Sequence, residues 1–399
     1  MNIRYQQIAG TSWGFIALIA GLFAVILAAL GSVYFMEHHG HYVTGMSNRV
    51  VWGVPHVLAL FLIVAASGAL NVASIASVFD KKIYKPLARL SGLVALSLLA
   101  GGLMILVLDL GRPDRLIVAM TEYNFKSIFA WNIILYNGFF VIVAVYLWMM
   151  FERRMNKFTS KAGLAAFAWR LILTTGTGSI FGFLVARQAY DAVIMAPMFI
   201  IMSFSFGLAF FILILMASYK WSERELGDVI VNRLGNLFGV FIAAVMYFVI
   251  IKHLGSLYLA ENSAVENFIL FGDHIYTPLF WIVQMIIGGL LPLALIYLPA
   301  FRGNRSALGL ASVLVIIGGI AQLYVIIIGG QAHPLELFPG KEIIEGYDSI
   351  ATYSPSLPEI ILGAGGIAVA LIATTLLLKF LPFLPESLAD SVADPHHKK

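Results

Sequence analysis

The sequence predicts an all-α, polytopic membrane protein of about ten transmembrane helices, and three observations carry that prediction. The 399 residues are 60 % hydrophobic and only 12 % charged, against roughly 45–50 % apolar and ~25 % charged in soluble domains. Mean hydropathy is +0.91. Ten apolar runs are long enough to cross a ~30 Å hydrocarbon core, which takes roughly 20 helical residues. They lie near 12–36, 53–79, 87–109, 127–151, 164–186, 193–218, 236–259, 276–299, 307–329 and 358–381. Each is continuously apolar and does not alternate with period two, so helices are implied rather than barrel strands.

The first run has only Arg4 before it and exceeds a signal-peptide core, so it reads as a retained helix. The connections are short except 330–357, rich in Pro, Gly, Glu and Tyr; a loop of that length is usually functional or docks a partner. No fixed-period repeat or soluble domain interrupts the sequence, which reads as one membrane domain, 1–385, with a short polar tail, 386–399. Placing the N-terminus in the cytoplasm puts 17 of the 25 Lys and Arg inside, so the positive-inside rule predicts both termini cytoplasmic. Seven of the nine histidines, with Glu37, Asp109, Arg112, Arg115, Arg187, Asp191 and Lys252, then fall at the outer side.

There is no cysteine, which removes thiolate-held iron–sulfur clusters, attached c-type haem and disulfides together. Metal-borne electrons would have to arrive on another polypeptide. The net charge of +4 comes without a Lys/Arg block able to form a phosphate-binding face, so nucleic acid is not an expected partner. Haem b needs paired axial ligands at matched depth. Only His56 and His253 approach that arrangement, and both lie near the edge, so no haem and no other metal site is expected in this protein.

The stretch 109–137, DLGRPDRLIVAMTEYNFKSIFAWNIILYN, gathers charge, rings and hydrogen-bonding groups at one membrane edge. Asn132 and Tyr136 are four apart and share a helical face with Phe129. That face suits a flat amphipathic ligand such as a quinone headgroup, with Trp131 beside it and His38 or His56 completing the contacts. Quinone chemistry moves two protons with two electrons and needs a protonatable relay; the candidates are Glu37, His56, Asp109, Lys252 and His253. Lys252 and His253 sit within an apolar run, where an ionisable group costs at least a few kcal/mol unless paired or wet. Asp109 or Glu37 is the expected partner. Each histidine alone reads equally well as a hydrogen-bonded interfacial group. Arg112 and Arg115 read as fixing the loop or a partner protein. Arg187 and Asp191, at i, i+4, read either as an ion pair or as interfacial anchors. Thr174, Gly178 and Gly182 form a small-residue row for helix packing, and Asn71 reads as an interhelical hydrogen-bonding residue.

The motifs VWGVPH, SGALNVASI, LDLGRPDR, FKSIFAWNI, LYNG and RLILTTGTGSIFGFLVARQAYD together resemble the NrfD/PsrC family of quinone-interacting membrane subunits, in particular its ten-helix branch typified by DsrP and HmcC. The resemblance covers most of residues 37–260. It implies two four-helix bundles extended by two further helices, in a bacterial or archaeal cytoplasmic membrane. It also implies a haem-free subunit that binds menaquinone or ubiquinone near the periplasmic face and serves a respiratory or sulfur-metabolising redox complex. The implied partners are a periplasmic ferredoxin-like iron–sulfur subunit, a multihaem cytochrome c and a haem b membrane subunit. The site residues above rest on the residues themselves. Two other functions stay open: an ion- or proton-translocating protein, and a structural anchor without its own quinone site. Ionisable groups gathered at one edge weigh against a central alternating-access site, and an anchor leaves buried Lys252 and His253 without a role.

Overall fold

The structure, a computed structural model, describes residues 4–335 and 349–393. Among them, ten helices have membrane-spanning length and composition: α1 (Trp13–His39), α2 (Val54–Ser77), α3 (Lys82–Leu108), α4 (Ile128–Phe151), α5 (Asn156–Gly182), α6 (Met195–Trp221), α7 (Asp228–Tyr258), α8 (Tyr276–Tyr297), α9 (Arg305–Ala332) and α10 (Leu357–Phe380). Their starts follow local chemistry. Ser12 accepts from the Phe15 N–H, Asn304 from those of Ser306 and Ala307, and Ser356 with Glu359 forms a capping box. Helices α5 and α7 begin about two turns earlier than their apolar runs. Lys161 and Arg233 lie in those added turns, where long charged side chains reach water without breaking the backbone ladder.

Helices α2–α5 close one four-helix bundle and α6–α9 a second, while α10 lies along α2 and α3 and α1 packs on α10. This is the arrangement that the resemblance implied. The bundles meet where α2 crosses α6. A Cβ on Gly68 would stand 1.5 Å from the Ser203 carbonyl oxygen, and one on Gly207 2.0 Å from the Ala69 nitrogen. In lipid, where apolar burial between helices gains little, such close backbone approach supplies the packing energy. The Gly178–Gly182 row packs likewise, with added Cβ atoms 2.7 Å from the Met195 oxygen and 2.9 Å from the Ala192 oxygen.

Among the described residues, three of these helices are irregular. α2 is interrupted at Leu70; α8 is π-helical over Leu279–Leu290 and α9 over Val325–Gly329. Strand β1 (Tyr5–Gln6) pairs antiparallel with β2 (Leu384–Pro385), so both terminal segments meet at one face. The opposite face carries the connections 40–53, 109–127, 183–194 and 259–275 and is called the His56 face below. Residues 336–348 of the long loop, and His396 and His397 of the tail, lie outside the described residues.

Candidate functional site

His56 occupies the first turn of α2, and several distant groups fix the segment leading to it. Gln331 Oε1 accepts from the Val51 and Trp52 N–H groups at 2.9 and 3.0 Å, and its Nε2 donates to the Trp52 and Ile327 carbonyls at 3.0 and 2.9 Å. Tyr353 Oη accepts from the Val54 N–H at 2.8 Å and donates to Glu359 Oε1 at 2.7 Å. Glu359, wholly buried, also accepts from the Gly45 and Ser356 N–H groups. Position 53 must be glycine: a Cβ there would lie 2.5 Å from Glu359 Oε1 and 2.6 Å from Tyr353 Oη.

Asp109 follows the last residue of α3, and its backbone N–H closes that helix on the Ile105 carbonyl at 3.0 Å. The two elements bring His56 Nδ1 to 2.8 Å from Asp109 Oδ2, with the imidazole one-fifth exposed and the carboxylate fully enclosed. The approach lies off the line of a good hydrogen bond. Both Asp109 oxygens and His56 Nδ1 therefore count as buried polar atoms without a satisfied partner, although their separation is that of an ion pair. A carboxylate so placed costs several kcal/mol unless a proton, a counter-charge or a ligand meets it. His41 packs against Gly111 in the loop that follows, and its Nε2 is also buried without a partner. Trp52 supplies a ring platform, centred 6.3 Å from His56, 5.9 Å from Phe129, 5.9 Å from Phe181 and 6.4 Å from Tyr190.

Arg187 sits behind this platform and donates to the Gln331 carbonyl at 3.0 Å and the Arg49 carbonyl at 3.1 Å. No Arg187–Asp191 ion pair is found among the described residues; the planar guanidinium fork instead spans two carbonyls from separate elements. Burial lowers the pKa of Arg187 from the usual arginine value. Arg112 pairs with Asp114 at 3.2 Å in the exposed loop, and its hydrogen bond holds the Asp114 carboxyl below the usual range. Arg115 is exposed in the same loop.

The other expected quinone contacts have neighbours of their own. Asn132 donates to the Ile128 and Gly176 carbonyls, and Tyr136 Oη stands 3.3 Å from Thr177 Oγ1. Both side chains are buried between α4 and α5. Trp131 is half exposed and donates to the Phe125 carbonyl. His38 is exposed and stacks on Tyr34, with Glu37 exposed beside it.

Lys252 and His253 pair neither with Asp109 nor with Glu37. Their partner is Glu266 on the short helix Ser263–Phe271: Lys252 Nζ donates to Oε1 at 2.9 Å, and His253 Nδ1 lies 2.5 Å from Oε2. Burial would raise the Glu266 pKa, but the His253 hydrogen bond and the Lys252 charge outweigh it and hold the carboxyl below its ordinary value. Sequence reasoning missed Glu359 and Gln331, which fix the segment before His56, and Glu266, the partner of Lys252 and His253. Gln331 and Glu266 fall in segments that read as loop and Glu359 at the very start of the last apolar run, and only the folded protein shows that their side chains turn inward. Asn71 does accept across a helix pair, from Arg170 Nη2 at 2.9 Å.

Comparison with known proteins fits this architecture. The sequence is 29% identical to the Hdr-like menaquinol oxidoreductase integral membrane subunit of Archaeoglobus fulgidus over 99% of its own length and 100% of the relative's. It is 25% identical to a putative dimethyl sulfoxide reductase membrane subunit of Halobacterium salinarum, covering 91% and 90% of the two proteins. It is 23% identical to one of the polypeptides of the polysulfide reductase of Wolinella succinogenes, covering 71% and 95%. Residues 42–334, the two bundles without α1 and α10, match the family model described as polysulphide reductase, NrfD. Matched over well more than half its length, and built of ten apolar helices, the protein is a multi-pass membrane protein of the NrfD polysulphide reductase family.

Proposed function

We propose that this protein is the quinone-interacting membrane subunit of a multi-subunit oxidoreductase, and that His56 and Asp109 form the protonic end of its quinone site. One observation carries the reading: an enclosed carboxylate, otherwise unsatisfied, stands 2.8 Å from a partly exposed imidazole at the membrane edge. In this reading His41 Nε2 would offer a further hydrogen bond to a carbonyl or hydroxyl, and the neighbouring Trp52 and Phe129 rings a flat face to a quinone ring. The menaquinol oxidoreductase name of the Archaeoglobus relative supports the same ligand class. A quinol bound there supplies two electrons and two protons. Asp109 orients the imidazole and offsets its charge when the ring takes a proton, and His56 passes that proton onward. Asn132 and Tyr136 brace the site from behind through α5 rather than touching the headgroup.

The excess of Lys and Arg at the face opposite His56 supports a periplasmic position for the site. The partner that takes or gives electrons is an iron–sulfur or cytochrome c subunit docked over that face, as the family resemblance implies, with Arg112 and Arg115 at its edge. The test is quinol-dependent turnover of the assembled complex with Asp109→Asn and His56→Ala. Loss of turnover with the complex intact supports the assignment. Turnover near that of the parent complex in both variants refutes it.

A further inference from the structure

The second bundle contains a polar system that the quinone site does not use. Lys252, Glu266 and His253 are 7 %, 2 % and 12 % exposed at their side chains and form one connected triad. Lys252 and Glu266 cancel in charge, so the triad is neutral with a neutral imidazole and gains one positive charge when that ring is protonated. With Nδ1 donating to Glu266, Nε2 of His253 is left as the acceptor.

A cavity adjoins the triad. It is lined by Lys252, His253, Gln284, Gln322, Met195 and Val325 and has about 20 Å³ open to water centres, room for roughly one or two molecules. A second cavity of similar size shares Val249, Gln284 and Gln322 with the first and continues past Ser205, Val245 and Gly288. Gln322 is 2 % exposed, and its Nε2, a donor, has no partner among the described residues. A buried amide on the wall of a cavity that admits water is a site for that water. Both glutamines belong to the irregular helices: Gln284 lies inside the π-helical stretch of α8, and Gln322 just before that of α9. Widened turns of this kind recur at functional sites. From Lys252 to Ile242, which lines the inner cavity, α7 rises ~15 Å, about half of a ~30 Å hydrocarbon core.

Tyr190 stacks on Trp52 and donates to the Ile327 carbonyl at 2.5 Å, and Gln331 ties Trp52 to that same carbonyl. Among the described residues, the ionisable groups His274, His333 and Tyr276 pack on Phe268, two residues from Glu266.

We propose that the Lys252–Glu266–His253 triad and the chamber of Gln284 and Gln322 form a second proton-binding site, a hydrated half-path between the middle of the membrane and the His56 face. A proton carried on chamber water binds His253 Nε2, Glu266 balances the added charge, and release regenerates the neutral ring. No electron is exchanged in this step. The inference rests on the quinone reading for its energy source and on separate residues for its path.

The test uses the whole complex in sealed vesicles, with quinol as donor and a soluble acceptor, counting protons moved across the membrane per electron by a trapped pH dye. Glu266→Gln and Gln322→Leu are each expected to keep electron transfer near the parent rate and to lower the protons per electron. The second variant replaces a buried amide by an apolar side chain of similar length, so it decides the matter if the first does not assemble. An unchanged ratio in Gln322→Leu overturns the proposal. So does a parent complex that moves no protons beyond those released by quinol, and so does loss of turnover with no change in ratio. Variants of His56 and Asp109 abolish turnover itself, so failure of the quinone reading is told apart from failure of this one.

Discussion

Asp109→Asn separates chemistry from stability more sharply than any other single change in this fold. The substitution keeps the side-chain volume and removes both the charge and the proton-accepting oxygen facing His56. Positioned acid–base groups contribute about 10²–10⁴-fold to rate, or about 2.7–5.4 kcal/mol at 1.36 kcal/mol per decade. Quinol turnover is therefore expected to fall at least about a hundredfold. Stability should move the other way or not at all. The Asp109 carboxylate is enclosed and has only the off-line approach of His56 for company, so a neutral amide relieves a poorly compensated buried charge. His56→Ala, by contrast, leaves that carboxylate alone and is expected to cost on the order of 1–3 kcal/mol. The assay pairs quinol-dependent reduction of an acceptor by the complex with a thermal scan of the same sample in detergent. Asp109→Asn with near-parental turnover, or with a loss of turnover matched by early unfolding, refutes the reasoning.

Three further outcomes are expected. Tyr136→Phe loses the 3.3 Å contact with Thr177 and about 0.5–1.5 kcal/mol of stability but retains turnover; a fall as deep as that of Asp109→Asn returns Tyr136 to the headgroup. Glu359→Ala orphans the N–H groups of Gly45 and Ser356 and the Tyr353 hydroxyl, each worth about 1–3 kcal/mol. It should lower Tm and raise the KM for quinol together, and a lowered Tm with unchanged KM removes Glu359 from the positioning of His56. The Glu266 carboxyl, held below its usual value of 4.5, stabilises the fold above that value. That contribution is lost as pH falls through the depressed folded pKa. A stability–pH curve of Glu266→Gln should therefore lie below the parent at neutral pH and converge with it in acid; parallel curves contradict this.

What could be read from the sequence divides along physical lines. Membrane helices are legible because a single local property, sustained apolarity, specifies them: all ten runs became helices, and the structure moved only their ends. The clustering of His56 and Asp109 at one edge was legible from loop parity, since spans of similar length return their ends to the same face. Pairing was not legible. Lys252 gave a correct signal, a charge too deep to stand alone, but its partner Glu266 sits on a nine-residue helix that reads as a polar connection. Asn132 and Tyr136 were correctly placed on one helical face, yet the face turned toward α5, because Gly176 leaves room there and Thr177 offers a hydroxyl. Gln331 and Glu359 show a similar limit. Their bonds reach across 279 and 314 residues of sequence, a separation at which no local pattern selects a partner.

The most direct measurement of the quinone assignment is photolabelling of the complex with an azidoquinone, mapped by mass spectrometry, with and without excess quinol. Label in peptides that hold Trp52–His56 or Asp109–Gly111, displaced by quinol, is the expected result. Displaceable label on Asn132–Tyr136 or Lys252–Glu266, with none near His56, contradicts it.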